Sequence, residues 1–453
     1  MSMFKWDVVD PEPGVAVAPH QRLPWGKTIG LGAQHVVAMF GATFVFPLVM
    51  GLDANLAIMF SGICTIMFLL ICANRVPSYL GTSASFVASV AAIRGQGGDS
   101  ADVTGAIMVA GVVLLLVGVL VHFAGGAVIH KILPPAVTGA VVMLIGFNLA
   151  PVVAGIYWPQ DQWIALLTAA FMVLAAVTFP GFWARIAVFL ALIFGYLISL
   201  FADIIFGPIN SITGSSNGEL LDHDRVSWAG VKAADWIGFP SGDLLDGVSV
   251  VHGPSISLSF VLLVLPGVIA LIAENTGHVK AVAEMTGENL DPYMGRAIGA
   301  DGLATAFASA FGGSPTTTYA ENIGVMGATR VYSTAAYYVA AIVAILLGLC
   351  PKFGAIVNAT PGGVLGGITV VLYGMIGLVG AKIWVENRVD FGNPVNLVGL
   401  AAGLIAGIGG VTLKITDDFE LGGIALGTIM VIAFFHMVNF RKSRDSGEVT
   451  RAL

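Results

Sequence analysis

Glu274 and His278 stand four residues apart in IALIAENTGHVKAV, with Asn275 next to the acid. Side chains at that spacing share one face of a helix. A carboxylate and an imidazole so placed can pass a proton between them, the chemistry that proton coupling needs. A second acid, Glu321, opens ENIGVMGATR directly after SPTTTYA, with Asn322 beside it. A third, Asp301, lies in IGADGLATAF, and Gln34 and His35 lie in LGAQHVVAMFGAT. All of these groups are set in apolar sequence. A carboxylate at the middle of a bilayer costs about 2.5–3.5 kcal/mol on insertion scales and usually marks a functional site.

Plainer roles exist for each. The Glu274–His278 pair could sit near a helix end beside Lys280 and meet water, since about eighteen apolar residues already precede Glu274. Glu321 could simply stabilise the start of its own helix, but the roughly 0.3–1 kcal/mol this contributes is too small to offset burial. Asp301, flanked by glycine, could bond a neighbouring backbone group. His35 and Gln34 could tie helices together. Other chemistry is excluded by what the chain lacks. It has no HExxH, no Cys pair and no dense His spacing for a metal, so none is expected. It has no phosphate-binding loop and no Gly-x-Ser-x-Gly elbow. Nothing points to an enzyme, a cofactor or a nucleic-acid partner.

The elements that must position these residues follow from composition. Of 453 residues, 57% are hydrophobic and only 10% charged, where a soluble domain carries about 25%. Mean hydropathy is +0.90. Apolar runs of about 20 residues recur along the chain, the length that crosses a roughly 30 Å hydrocarbon core. The alternation of a membrane β-strand is absent. Fourteen segments are expected, near 30–49, 54–73, 83–93, 103–124, 135–153, 162–179, 184–205, 256–279, 295–311, 320–330, 333–350, 362–380, 393–411 and 421–440. With a cytoplasmic N-terminus, only Arg94, Arg225, Lys232, Lys352 and Lys414 of the 20 basic residues fall outside, in line with the positive-inside rule. Both termini (1–29 and 441–453) are then cytoplasmic, and 206–255 is an extracytoplasmic connection. Residues 1–29 have no apolar h-region, so no cleaved signal peptide is expected. Cys64, Cys72 and Cys350 lie in apolar segments, and their odd number argues against a disulfide framework.

The third and tenth segments are only about eleven residues long. Each follows a leader of small residues, VPSYLGTSASF and SPTTTYA, in which Pro77 and Pro315 oppose helix before them. Interrupted segments at matching places in two halves are the mark of an inverted repeat and point to a binding site. The two repeats are 30–205 and 256–440; seven segments is an odd number, so the second inserts upside down. Irregular backbone in a membrane must be covered by protein or line a cavity. The leaders are therefore expected to pair near the midplane, each handing over to a half-helix whose N–H groups point at the crossing. The fold class is an all-α polytopic membrane protein, a 7+7 inverted repeat with two half-helices preceded by short strands.

ENIGVMGATR resembles the signature of the nucleobase–ascorbate transporter family, and QHVVAMFGAT resembles that family's Gln-His motif. PSYLGTSASF, AENTGH and TTYAENIGVM are similar to its uracil-permease branch. LPWGKTIGLGAQHVVAMFGATFVFPLVMGLD and AVAEMTGENLDPYMGRAIGADGLAT are most similar to pyrimidine permeases associated with uracil breakdown. The resemblance runs from about residue 22 to 440. It implies a core domain of segments 1–4 and 8–11, a gate domain of segments 5–7 and 12–14, and a homodimer in the cytoplasmic (inner) membrane. It implies that Glu274 and Glu321 hold a pyrimidine base such as uracil and that His278 supports Glu274 in coupling to a co-transported proton. It places Tyr319, Ala320, Ala42 and, from the gate, Tyr373 at the pocket. Ala84 stands where uracil permeases carry Phe, which leaves a backbone N–H contact but a wider pocket. Phe86, Asn322, Gln34, His35 and Asp301 are further candidates. Rival expectations are a xanthine or urate carrier of the same family, in which Gln is common where this chain has Glu321; an anion carrier or channel of the same repeat plan, opposed by the two acids; and a receptor without transport.

Overall fold

The structure, a computed structural model, describes residues 4–10, 15–125, 133–213, 219–415 and 420–451. The first half contains α1 (Trp25–Met50), α2 (Ala54–Ile71), the strand β1 (Leu80–Thr82), α3 (Val87–Gly95), α4 (Ser100–Ala124), α5 (Pro135–Phe147), α6 (Gln162–Thr178) and α7 (Ala187–Phe206). The second contains α8 (Leu258–Thr286), α9 (Met294–Ser309), β2 (Thr316–Thr318), α10 (Ala320–Thr329), α11 (Thr334–Gly348), α12 (Gly362–Glu386), α13 (Pro394–Ile408) and α14 (Gly423–Arg451). Among the described residues seven helices are long and apolar enough to cross a membrane, and α11 with the Pro351–Asn358 helix, bent by 81°, makes an eighth. The protein is a mostly helical, multi-pass membrane protein.

Local sequence explains the helix ends. Asp53 caps α2, its Oδ1 accepting from Leu56 N–H at 2.7 Å. Asp99 and Asp102 form a capping box at the start of α4. One expected segment is interrupted, and another is followed at its end by a sharp bend. The fifth leaves regular α-helix at Asn148 and continues through a π turn at Val153–Tyr157, because Pro151 and Pro159 remove backbone donors and Gly155 adds freedom. The eleventh ends in its bend where Pro351 follows Cys350. The three cysteines are free thiols.

The helices pack most closely in two sets. In one, α4 lies along α9 and α8, and α11 lies along α2 and α1. In the other, α12 lies along α5 and α6, α7 along α6, and α13 along α14 and α5. Lipid supplies little hydrophobic drive between helices, so small residues and close backbone approach hold them together. At Gly118 of α4 a Cβ would lie 2.2 Å from the Gly299 nitrogen of α9. Gly146 of α5 meets Gly377 of α12 in the same way. Gly118→Val should therefore force α4 and α9 apart, at the upper end of the about 1–3 kcal/mol typical of overpacking, and lower the thermal midpoint of the detergent-solubilised protein. An unchanged midpoint would remove this contact from the account of stability.

The 206–255 connection is held along its length. Arg225 reaches Asp161 at the start of α6 (2.7 Å) and Asp203 near the end of α7 (3.0 Å). Further on, Asp246 accepts from Arg94 at the end of α3 and from the Ser100 N–H and hydroxyl at the start of α4. Burial would raise the Asp246 carboxyl, but the Ser100 and Arg94 hydrogen bonds prevail and hold it at about 2. On the other side of the molecule the N-terminal segment adds a bridge, Val17 pairing with Val331 just after α10. Trp6 Nε1 donates to Thr334 at 2.9 Å.

Candidate functional site

The two leaders do meet. β1 and β2 pair antiparallel, with Leu80 opposite Thr318, Gly81 opposite Thr317 and Thr82 opposite Thr316. The ladder is prolonged at both ends by Ser83 N–H to Pro315 O (2.8 Å) and Tyr319 N–H to Tyr79 O (3.0 Å). β-branched threonines suit the extended backbone, and Gly81 is required because a Cβ there would lie 2.4 Å from the Tyr319 ring. That ring is locked in turn: its hydroxyl donates to Thr82 O (2.8 Å) and accepts from Thr43 of α1 (3.2 Å). Tyr319 thus braces the crossing and carries the chain into α10. Each strand leads into a short helix, through the turn Ala84–Phe86 into α3 and directly at Ala320 into α10. Both N-termini point their first-turn N–H groups at the crossing, that of Ser85 accepted by Ser83 Oγ at 3.2 Å.

Successive residues of a strand point to opposite sides, and β2 uses this. Thr316 and Thr318 turn towards α8 and α9. Thr318 donates to Asn275 Oδ1 (3.3 Å), and His278 Nδ1 lies 2.7 Å from the same Thr318 oxygen, which it therefore meets as an N–H donor. Asn275 donates to Asp301 Oδ2 (2.7 Å), and Thr316 donates to Asp301 Oδ1 (3.2 Å). Asp301, fully buried, has both oxygens occupied and fixes Asn275 against the strand. Thr317 turns the other way, beside Glu274. Its buried hydroxyl faces the Glu274 carboxylate. Glu274 is half-buried and within electrostatic range of Asp301 and Glu321. Glu321, also half-buried, turns back on its own backbone N–H at the first turn of α10.

Glu274, Glu321, Tyr319, Ala320 and His278 are thus gathered at the crossing. Ala84 is half-buried at the start of the opposite turn and Ala42 is buried in α1 one residue before Thr43. The other candidates have different surroundings. Phe86 is completely buried, its ring against Gly267 of α8, where a Cβ would come within 2.8 Å. His35 is buried, stacked 4.3 Å from the Tyr337 ring, and accepts from Asn322 through its carbonyl (3.0 Å). His35 and Asn322 therefore tie α1 to α10 and α11. Gln34 is half-buried on α1. Tyr373 belongs to the other helix set: buried, its hydroxyl unpartnered, it lines a cavity of about 510 Å³ with Phe147 and Trp158. No described hydrogen bond joins it to the two glutamates. A second cavity, of about 310 Å³, lies between α8 and the α5–α12 pair and is lined by Ala273, Thr276 and Lys280 with Thr138 and Glu386.

Two features of the sequence expectation change. The i,i+4 relation of Glu274 and His278 holds, but the imidazole bonds Thr318 across the helix–strand contact and not the carboxylate. Helix α8 also continues to Thr286, two turns past His278, so the pair lies inside the helix and not at its end. Asn275, Thr317 and Thr318 were not singled out as site residues; the alternation of hydroxyls in an extended TTT run is the signal that finds them.

A family model described as Permease family, Xan_ur_permease, matches residues 26–416. The putative pyrimidine permease RutG of Escherichia coli (strain K12) is 42% identical over 428 residues, 93% of this chain and 91% of that one. The uracil permease of Bacillus caldolyticus is 35% identical over 416 residues, 89% and 90% of the two chains. Among solved structures, the transmembrane domain of the cyanobacterium bicarbonate transporter BicA matches with a TM-score of 0.55 at 14% identity, covering 94% of this chain and 98% of that one. The murine Slc26a9 anion transporter in its inward-facing state matches with a TM-score of 0.61 at 13% identity, covering 92% and 68%. At such identities the likeness is one of fold. With most of its length matched by the family model and by relatives above 30% identity, the chain belongs to this permease family, the nucleobase–ascorbate transporters, and is a carrier and not an enzyme.

Proposed function

We propose that the protein imports uracil or a closely related pyrimidine base together with a proton, by alternating access across the cytoplasmic membrane. The observation that carries this reading is the convergence at the β1–β2 crossing of two half-buried carboxylates and two helix N-termini, with the Thr317 hydroxyl beside Glu274. Uracil is neutral and planar, with two N–H donors and two carbonyl acceptors. Glu274 and Glu321 accept the N–H groups. Backbone N–H groups near Ala84 and at Ala320–Glu321 donate to the carbonyls, the Glu321 N–H being released as its carboxylate turns to the base. A site that matches every edge rejects analogues that leave a buried polar group unpaired. The names of the relatives, a pyrimidine permease and a uracil permease, agree with this reading. The fold neighbours transport bicarbonate and other anions by name, but two acids at the crossing would repel a permanent anion.

The finer architecture belongs to the same proposal. Fourteen crossings form a 7+7 inverted repeat, with both termini cytoplasmic and two copies in a dimer. Contact symmetry supports the repeat: α4 on α9 corresponds to α11 on α2, α1 on α10 to α8 on α3, and α5 on α12 to itself. The set α1–α4 with α8–α11 is the core that carries the base, and α5–α7 with α12–α14 is the gate. His278, bonded to the strand, positions Glu274's side of the site and takes part in proton movement; one proton neutralises a loaded site that would otherwise cross with excess charge. Radiolabelled uracil uptake in cells lacking their own permeases should collapse on adding a protonophore. Uptake that persists would leave a facilitated carrier. No uptake of uracil together with uptake of xanthine or urate would replace the pyrimidine reading.

A further inference from the structure

Residues 235–239 of the long connection, Asp-Trp-Ile-Gly-Phe, expose three large apolar side chains: Trp236 is 72% exposed, Ile237 87% and Phe239 57%. They are not on a loose loop. Lys352 N–H donates to Asp235 O (2.9 Å) and Gly238 N–H donates to Leu349 O (3.1 Å), which pins this backbone to the end of α11. Lys352 Nζ stands 5.2 Å from the centre of the Trp236 ring. We infer that Trp236, Ile237 and Phe239 form an interfacial anchor seated in the lipid leaflet at the end of α11.

Three observations name lipid as the occupant. The fifteen residues of α11 rise only about 22 Å, short of a roughly 30 Å hydrocarbon core, so its end does not lift the loop clear of the bilayer. The chain then turns by 81° into Pro351–Asn358, the course of a segment that meets a membrane surface and runs along it. The patch also continues an apolar face, because Ile342 and Leu346 of α11 and Ile356 of the bent helix are exposed beside it. A tryptophan with a lysine over its face and apolar neighbours is the mixture that settles at the headgroup level. Leu245, 85% exposed in the same connection, gives the contrast: it is flanked by Asp243 and Asp246, the latter tied to Arg94 and Ser100, and lies in water.

The inference does not depend on what the protein carries. Its test is a nitroxide label on Ile237→Cys or Leu245→Cys in a Cys350→Ser background, Cys64 and Cys72 being buried beyond reach of the reagent. In nucleobase-free vesicles of phosphatidylethanolamine and phosphatidylglycerol, relaxation by oxygen relative to a water-soluble nickel chelate should be several-fold higher at 237 than at 245. Equal ratios at the two sites would overturn the anchor. A label at 237 shielded from both reagents would overturn it too, in favour of a protein partner or a second copy on this face. Retained thermal midpoint and full labelling establish that each variant is folded.

Discussion

Glu321→Gln is expected to abolish measurable uracil binding while the protein remains folded. The substitution keeps shape and removes the charge, so the strands and α10 have no steric reason to move. The amide, however, presents N–H groups or a neutral oxygen where a base N–H must be accepted. A hydrogen bond to a charged group contributes about 1.5–3 kcal/mol, and a donor left facing a donor costs a further 1–3 kcal/mol or so. Together these weaken affinity by roughly 10²- to 10⁴-fold. The lost interaction of the charge with its own half-helix, about 0.3–1 kcal/mol, is too small to unfold it. Equilibrium binding of radiolabelled uracil to purified protein, alongside a thermal unfolding trace, measures both quantities. Wild-type affinity in this variant would remove Glu321 from the site.

Glu274→Gln is expected to abolish proton-coupled transport. Glu274 lies within electrostatic range of Glu321 and Asp301. Three carboxylates in one poorly hydrated region repel strongly when all are charged, so a proton entering with the base relieves the repulsion. A glutamine at 274 is neutral throughout and has no proton to take or release. In proteoliposomes with an imposed pH gradient, accumulation of uracil should fall to the level without a gradient. His278 acts with Glu274 and has no carboxylate at 274 with which to exchange a proton in this variant. Gradient-driven accumulation at the wild-type level in this variant would move the coupling site elsewhere.

How far the site could be read from the chain depends on whether its signals are local. The half-helices were legible because Pro77, Pro315 and the Gly, Ser and Thr residues around them cannot sustain helix, whatever packs nearby. Glu274 and Glu321 stood out because a carboxylate amid apolar residues is costly. The partner of His278 was not legible. Thr318 is forty residues away, and only the path of β2 brings it into contact. Asp301 divided evenly between packing and function for a similar reason: its partners Asn275 and Thr316 come from two other elements. His35, open in the sequence between chemistry and helix packing, joins helices in the structure through Asn322 and Tyr337. The breaks after α5 and α11 follow prolines that were visible, but whether a proline kinks a helix or ends it is decided by what can satisfy the freed carbonyls.

The strand pair has a consequence for the order in which the molecule can be assembled. Tyr319 bonds to Thr82, 237 residues earlier, and Gly81 at the centre of β1 is paired by Thr317 of β2. Until residues beyond 318 have left the ribosome, Gly81 and its neighbours have no ladder, and Thr65 of α2 meets the backbone of Leu80 alone (2.9 Å), in surroundings where unpaired peptide groups cost several kcal/mol each. The first half is thus a biosynthetic intermediate with a built-in defect, repaired only when the second half arrives. Completion of the pocket and completion of the fold become one event, so a chain truncated before β2 is left both inactive and marked by exposed polar backbone for removal.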